Sequence, residues 1–316
     1  MKHVFVFDPS AFQNQEWKVN RIIDSIGEYF QKQGEGDFSI HYSHYRRNAM
    51  AIIQEEAEKG DLSVVARVYA VGGEEILYDC LNSVVYYPNM QLVSVPYGKP
   101  SDFLKMYGKD KVELFTDIAS LVTAEVIPTD VIRWGVNYAL NFICVGMNTG
   151  IVKKASEQGP DTRGGVAFFS RISYLLSYIW AAIDKQTAWR EYKISIDDED
   201  YSGFYSFVHI ANIPYYDGKV TAASDAMPDD EFLNVALVKS ANPLKTLFSV
   251  RRYLRGKKNK NCVFVKAKKV TIHSDSQMWI QIDDEFVQDT SINLSIIPHA
   301  VQIAAVNNLS YQSASA

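Results

Sequence analysis

The sequence predicts an open parallel α/β domain followed by an antiparallel β domain, and three observations carry that prediction. Continuous apolar runs alternate with helix-spaced stretches up to about Thr129. Beyond it, short strand-like runs are separated by Gly, Pro, Asp and Asn clusters. At 316 residues, the chain is about twice the usual length of one domain.

Val4 to Phe7 reads as a buried first strand, and the following helix carries Val19, Ile22, Ile23, Ile26, Tyr29 and Phe30 at helical spacing. Phe38 to Tyr42 alternates as a second strand, and Ala49, Met50, Ile52, Ile53 and Ala57 then share one helical face. Ser63 to Val71 and Met90 to Val95 are the third and fourth strands, with a helix through Ile76, Leu77, Cys80, Leu81, Val84 and Val85 between them. Strands separated by helices pair in parallel through right-handed crossovers, and such sheets bind ligands at their carboxyl ends. In the second half, Glu191 to Ile196, Tyr205 to Ile210, Phe232 to Val238, Lys266 to Ile272, Met278 to Ile282, Ile292 to Ile297 and Val301 to Val306 read as strands. Ile172 to Ile183 is the one stretch there that reads as a helix, and Ser310 to Ala316 is a polar tail.

Apolar residues make up 47% and charged residues 22%, the make-up of a globular protein. A net charge of −5 gives no global sign of a nucleic-acid binder. Cys80, Cys144 and Cys262 lie far apart, without a CxxC pair, which argues against a disulfide framework or zinc site and favours a reducing, cytoplasmic setting. No run reaches the roughly 18 to 20 apolar residues of a membrane span, and the N-terminal apolar run is too short for a signal peptide.

Chemistry concentrates first in Val71-Gly72-Gly73-Glu74-Glu75-Ile76, a strand end, a glycine doublet, acids and a helix start. Paired glycines let backbone approach a phosphate while the helix aims free N–H groups at it, and an acid there could hold a magnesium ion. A tight turn with solvated glutamates is the plainer reading of the same residues. Asp283-Asp284-Glu285 places two acids two residues apart, on one face if extended. An acidic hairpin turn is the plainer reading there.

Taken in order, these segments resemble the soluble bacterial diacylglycerol kinases, whose catalytic fold is shared with sphingosine and ceramide kinases and, more distantly, NAD kinases. The family loop GGDGT is met by Gly72, Gly73 and Glu74, with Asp79 and Asn82 at the acid and Asn of the next helix. The loop PxGTxNDF is met by Pro96, Gly98, Asp102 and Phe103. Cys144 and Asn148 stand at the Ser and Asp of FNxxSxGFD, and Asp229 and Asp230 stand in the magnesium-associated DDGxLD segment. Asp283 and Glu285 stand for the Asp and Glu of the DGE motif, taken as general base and its support. The match spans nearly the whole chain.

The resemblance implies an ATP- and Mg2+-dependent kinase of a lipid hydroxyl such as that of diacylglycerol. Asp283 and Glu285 would be catalytic, Asp8, Gly72, Gly73, Glu74, Glu75, Gly98, Lys99, Ser101 and Asp102 would hold the nucleotide, and Glu74, Asp229 and Asp230 the metal. The expected division is an N-terminal, NAD-kinase-like α/β domain at 1–129, a C-terminal β-sandwich domain at 130–298, and a returning strand and tail at 299–316. The partner is a lipid at the membrane surface, not a nucleic acid, and the protein would be cytoplasmic and peripheral, with homodimerisation left open.

Departures complicate this. Glu75 and Ile76 replace the third Gly and the Thr of the loop, Lys99, Pro100 and Ser101 alter the second loop, and Asp8 stands for an Asn. Two like charges 4 Å apart repel by about 4 kcal/mol at an effective dielectric of 20, so Glu75 opposes a phosphate unless Lys99 compensates. A homologue that binds lipid or nucleotide without transfer is therefore the alternative, and an NAD kinase-like enzyme the weaker one. Arg251, Arg252, Arg255, Lys257, Lys258 and Lys260 form a basic run that reads as a solvated loop or an anionic-lipid contact. Ile172 to Ile183, with Tyr174, Tyr178 and Trp180, reads as core packing or an acyl-chain entrance.

Overall fold

The computed structural model describes residues 1–12, 16–33, 37–97, 101–146, 149, 188–216, 220–257 and 259–314. Gly98, Lys99, Pro100, Asn148, Lys258 and the stretch Ile172 to Ile183 lie outside the described residues. The chain begins β1 (Lys2–Phe7), α1 (Glu16–Gln33), β2 (Asp37–Tyr42), α2 (Asn48–Lys59), β3 (Ala66–Gly72), α3 (Glu74–Val84) and β4 (Met90–Pro96). Every residue of β3 is buried, which is how a strand covered on both faces reads. The four strands pair in parallel in the order β2, β1, β3, β4. Phe7 lies opposite both Tyr42 and Val71, and Gly72 opposite Pro96, so all four strands end at one level and deliver their following loops to one edge.

Short helix α4 (Ile118–Val122) precedes β5 (Glu125–Trp134), β6 (Asn137–Ala139) and β7 (Phe142–Gly146). Buried Arg67 of β3 donates to the carbonyls of Leu121, Val122 and Ala124 and to Gln91, capping the α4 end with a buried cation. The second half holds β8 (Arg190–Ile196), β9 (Glu199–Asp200), β10 (Gly203–Ala211), the ribbon β11 (Tyr215–Tyr216) and β12 (Val220–Thr221), β13 (Leu233–Lys239), α5 (Pro243–Tyr253), β14 (Cys262–Ala267), β15 (Lys269–Ile282) and β16 (Glu285–Ala305). Its pairings are antiparallel, and β16 joins them to β4, so that fourteen strands form one hydrogen-bonded network among the described residues.

Three differences from the sequence reading stand out. Apart from Lys266 and Ala267, which end β14, Lys268 after them and Val306, the four last expected strands are parts of two long ones, β15 and β16, which bend at register shifts between His273 and Met278 and between Ile297 and Val301. Breaks after residues 129 and 298 fall inside β5 and β16, so neither is a linker. At the second one, His299 takes a left-handed φ of 52°, and from Val301 the strand runs between β5 and β4 and packs into the N-terminal core. Helix α5 is the third difference. Asn242 caps it by accepting from Lys245 N, Pro243 opens it, and it buries Thr246, Ser249, Val250 and Tyr253. That inward stripe is half polar, whereas Leu244 and Phe248 point out, which hides the helix from an apolar-periodicity reading.

Candidate active site

The carboxyl ends of β1, β2 and β3 enclose a cleft of about 330 Å³, walled by Asp8, Ser10, Tyr45, Arg46, Glu75 and Asp79 among others. That volume lies in the 300–1,000 Å³ range of small-molecule sites. Gly72 is required here by packing. Its φ is +157°, and a Cβ would sit 2.9 Å from Ile76 Cγ2 and 3.0 Å from Asp8 Cβ. Asp8 in turn folds into an Asx turn, its Oδ1 accepting from Ser10 N and Ser10 Oγ. Gly73 caps α3 without a side chain, leaving first-turn N–H groups at the cleft end of the helix.

Glu74, half-buried, accepts from the backbone N–H of Asp102 and from Asn141 Nδ2 (3.1 Å). Burial, with the Asp102 and Asp283 charges, pushes its pKa up to about 8. Asn141 also donates its backbone N–H to Asp283, so one residue connects the glycine loop to the acidic hairpin. Asp283 is 6% exposed and sits in a cage of three N–H donors: Leu140 to Oδ2 at 2.7 Å, and Asn141 and Phe142 to Oδ1 at 2.9 Å each. Burial raises its pKa to about 6 against the pull of those three donors. Its left-handed φ of 48° aims the carboxylate back at residues 140–142.

Buried Glu285 is held by two arginines from the β2–α2 loop, Arg46 at 2.8 Å and Arg47 at 3.5 Å. Arg47 also donates its backbone N–H to Asp79 Oδ2 at 2.7 Å. Burial pushes Asp79 up to about 6, Glu75 and Glu285 adding to it. Glu75 is raised in the same direction by burial, Asp8 and Asp284, with Arg46 opposing. The cleft is thus acid-rich, and Arg46 is the cation in its wall.

Asp8 and Glu75 line the cleft, Gly72, Gly73 and Glu74 form the strand end and helix start beside them, and Asp283 and Glu285 are linked to these residues through Asn141 and Arg46. Buried Ser101 and Asp102 lie behind Glu74, Asp102 pairing with Lys105. Asp229 and Asp230 stand apart from that group. Asp230 binds Lys266 at 2.6 Å, and Asp229 is raised by burial and by the Asp130 and Asp230 charges. Among the described residues no group of three or more His, Cys, Asp or Glu converges on a metal position. The expected magnesium set of Glu74, Asp229 and Asp230 does not fit one site, because Glu74 spends both oxygens on N–H donors and Asp230 is neutralised by a lysine.

Arg46, Arg47 and Asp130 were not found by the sequence reading, and Asn141, which opens the stretch resembling FNxxSxGFD, was given no role there. Asn82, at the family's Asn, exchanges hydrogen bonds with the Tyr138 backbone, a structural role. Cys144, fully buried with its thiol pushed up to about 12 by burial, is inert.

The family model described as "YegS C-terminal NAD kinase beta sandwich-like domain" matches residues 166–305. A protein of Staphylococcus aureus (strain JH9) named "Putative lipid kinase" is 27% identical over 280 residues, covering 86% of this chain and 87% of its own. A solved diacylglycerol kinase of Bacillus anthracis superposes with a TM-score of 0.69 at 18% identity, covering 98% of both chains, and another from that organism, described as putative, reaches 0.74 at 20%. At those identities the structures speak for the fold. The matching domain, the relative along most of the chain and the shared fold make this chain similar to the bacterial diacylglycerol and lipid kinases.

Proposed function

We propose that this chain is an ATP-dependent lipid kinase, acting at the cleft between the Gly72–Glu75 loop and the Asp283–Glu285 hairpin on a lipid hydroxyl such as that of diacylglycerol. The observation that carries the reading is the connection of Glu74 through Asn141 to Asp283, which sets a phosphate-type loop beside a caged carboxylate. An alcohol is a poor nucleophile at neutral pH. Asp283, with a pKa near 6, accepts its proton as the oxygen bonds to the terminal phosphate and the bond to the leaving diphosphate breaks. Oδ2 accepts one N–H, so a lone pair remains for that proton. Three backbone donors fix the carboxylate's direction without rotamer search.

Arg46 and the first turn of α3 face the phosphates in this reading, Glu285 holding the arginine in place. Exposed Tyr45 offers an aromatic face for the base. No step is routed through a metal. The reading includes the finer division into an N-terminal open α/β domain and a C-terminal β-sandwich, joined through β5 and β16, and a peripheral position at the membrane. No helix among the described residues is long and apolar enough to cross one.

Glu75 in the cleft wall favours a second reading, in which lipid or nucleotide binds without transfer. One experiment separates the two. Purified protein is given ATP, magnesium and diacylglycerol in mixed micelles, and phosphatidic acid is measured alongside the melting temperature. Transfer by the wild type supports the kinase. No transfer and no thermal shift at millimolar ATP sinks it, while transfer only in a Glu75→Gly, Ile76→Thr variant identifies a lost activity.

A further inference from the structure

The most uneven charge in the molecule lies away from the cleft. Between Phe232 and Ser274 there are eleven Lys and Arg and no Asp or Glu, leaving twenty-one of the thirty-two basic residues to face all thirty-seven acids elsewhere. Helix α5 occupies the middle of this stretch. With its buried stripe packed against the sheet, its outer face presents Leu244 (82% exposed), Phe248 (64%) and Arg251 at i, i+4 and i+7, and exposed Arg255, Lys257 and Lys260 follow. Beyond the helix start, Ser240 bonds the carbonyls of Ala188 and Phe204, which brings exposed Trp189 (42%) and Phe204 (53%) to the same end.

Large apolar side chains standing in water beside exposed cations, on a stretch of chain without acids of its own, are the chemistry of an interfacial helix. The apolar groups enter the acyl boundary, the tryptophan takes the headgroup level and the cations meet anionic headgroups. A recess of about 140 Å³ beside the last turn, between Tyr253, Lys257, Phe264 and Lys266 with Asp225 in its wall, falls below the roughly 300 Å³ of small-molecule sites. The face itself is therefore the binding element.

We propose that the outer face of α5, with the basic turn after it, docks the protein onto an anionic lipid bilayer. This goes beyond the cleft chemistry. It is tested without nucleotide or substrate, so failure here leaves the kinase reading standing, and the reverse holds.

The full chain is sedimented with vesicles of phosphatidylcholine alone and of equal parts phosphatidylcholine and phosphatidylglycerol. Binding to the mixed vesicles only, weakened by raised salt, is expected. Neutralising one cation should weaken binding about fivefold, so the Arg251→Gln, Arg255→Gln pair should lose about 25-fold. Leu244→Ser with Phe248→Ser should lose at least tenfold, and since all four side chains are exposed the melting temperature should hold. Absence of wild-type binding, equal binding to neutral vesicles, unchanged binding by both pairs, or retention of a labelled RNA in place of vesicles would each overturn the proposal.

Discussion

Two buried carboxylates in this protein are caged in the same way and differ in what stands beside them. Asp130 on β5 is fully buried and accepts backbone N–H bonds from Glu231 at 2.7 Å and His299 at 2.8 Å. Both donors are left-handed, at φ 63° and 52°, so one side chain pins two awkward turns. Asp283 accepts three such bonds, and one of its donors, Asn141, also binds Glu74 of the glycine loop. Burial raises both pKa values while the N–H donors oppose it. Hydrogen bonding to a carboxylate therefore does not distinguish a staple from a base; its neighbours do.

Replacing each by asparagine sharpens this contrast. Either amide orientation turns an NH2 toward a backbone N–H, so each variant should lose about 1–3 kcal/mol of stability, seen as a melting temperature lower by several degrees. Asp283→Asn alone should also lose transfer by about 10²–10⁴-fold, measured with the protein still folded. An Asp130→Asn variant equally inactive at low temperature would erase the distinction.

The pH dependence is next in size. Transfer should fall as pH drops through about 6, where Asp283 takes up its proton, by about tenfold per unit below that. Stability runs the other way. Glu74, Asp79 and Asp283 all have folded pKa values raised above the ordinary carboxylate range, so the folded state binds more protons than the unfolded one between about pH 8 and pH 4. The contribution of these groups is full below their unfolded pKa and is lost as pH rises, by about 1.4 kcal/mol per pH unit for each proton. Denaturant melts at pH 6 and 8 check the direction.

Smaller effects are expected around the cleft. Arg46→Met should raise the KM for ATP about tenfold, the worth of one charge-assisted contact, with Glu285 then left to Arg47 alone. Glu75→Gly should lower it several-fold by removing a repelling charge, and an unchanged KM in both variants would move the phosphates elsewhere.

Much of the N-terminal half was legible. The ends of β1 and β4 lie within two residues of their expected positions because buried parallel strands are apolar throughout, and those of β2, an edge strand with no buried residue, because its side chains alternate. β3 starts at Ala66 rather than Ser63, the turn before it being read as strand. The glycine loop and the acidic hairpin were legible as local spellings. Helix α5 was not, since its outward face is more apolar than its inward one. Arg46 and Arg47 sit in a loop without periodicity, and their partner Glu285 comes from the far end of the chain, a pairing no local pattern encodes. The need for Gly72 was visible, but its cause is the crowding of Asp8 and Ile76.

Strand β16 starts among the antiparallel strands and finishes alongside β4. Neither half can lose its order without tearing hydrogen bonds from the other, so heat should melt the molecule in one cooperative step. Chains severed at His299 should forfeit both halves, as each would be left with an open edge where the shared rung had been.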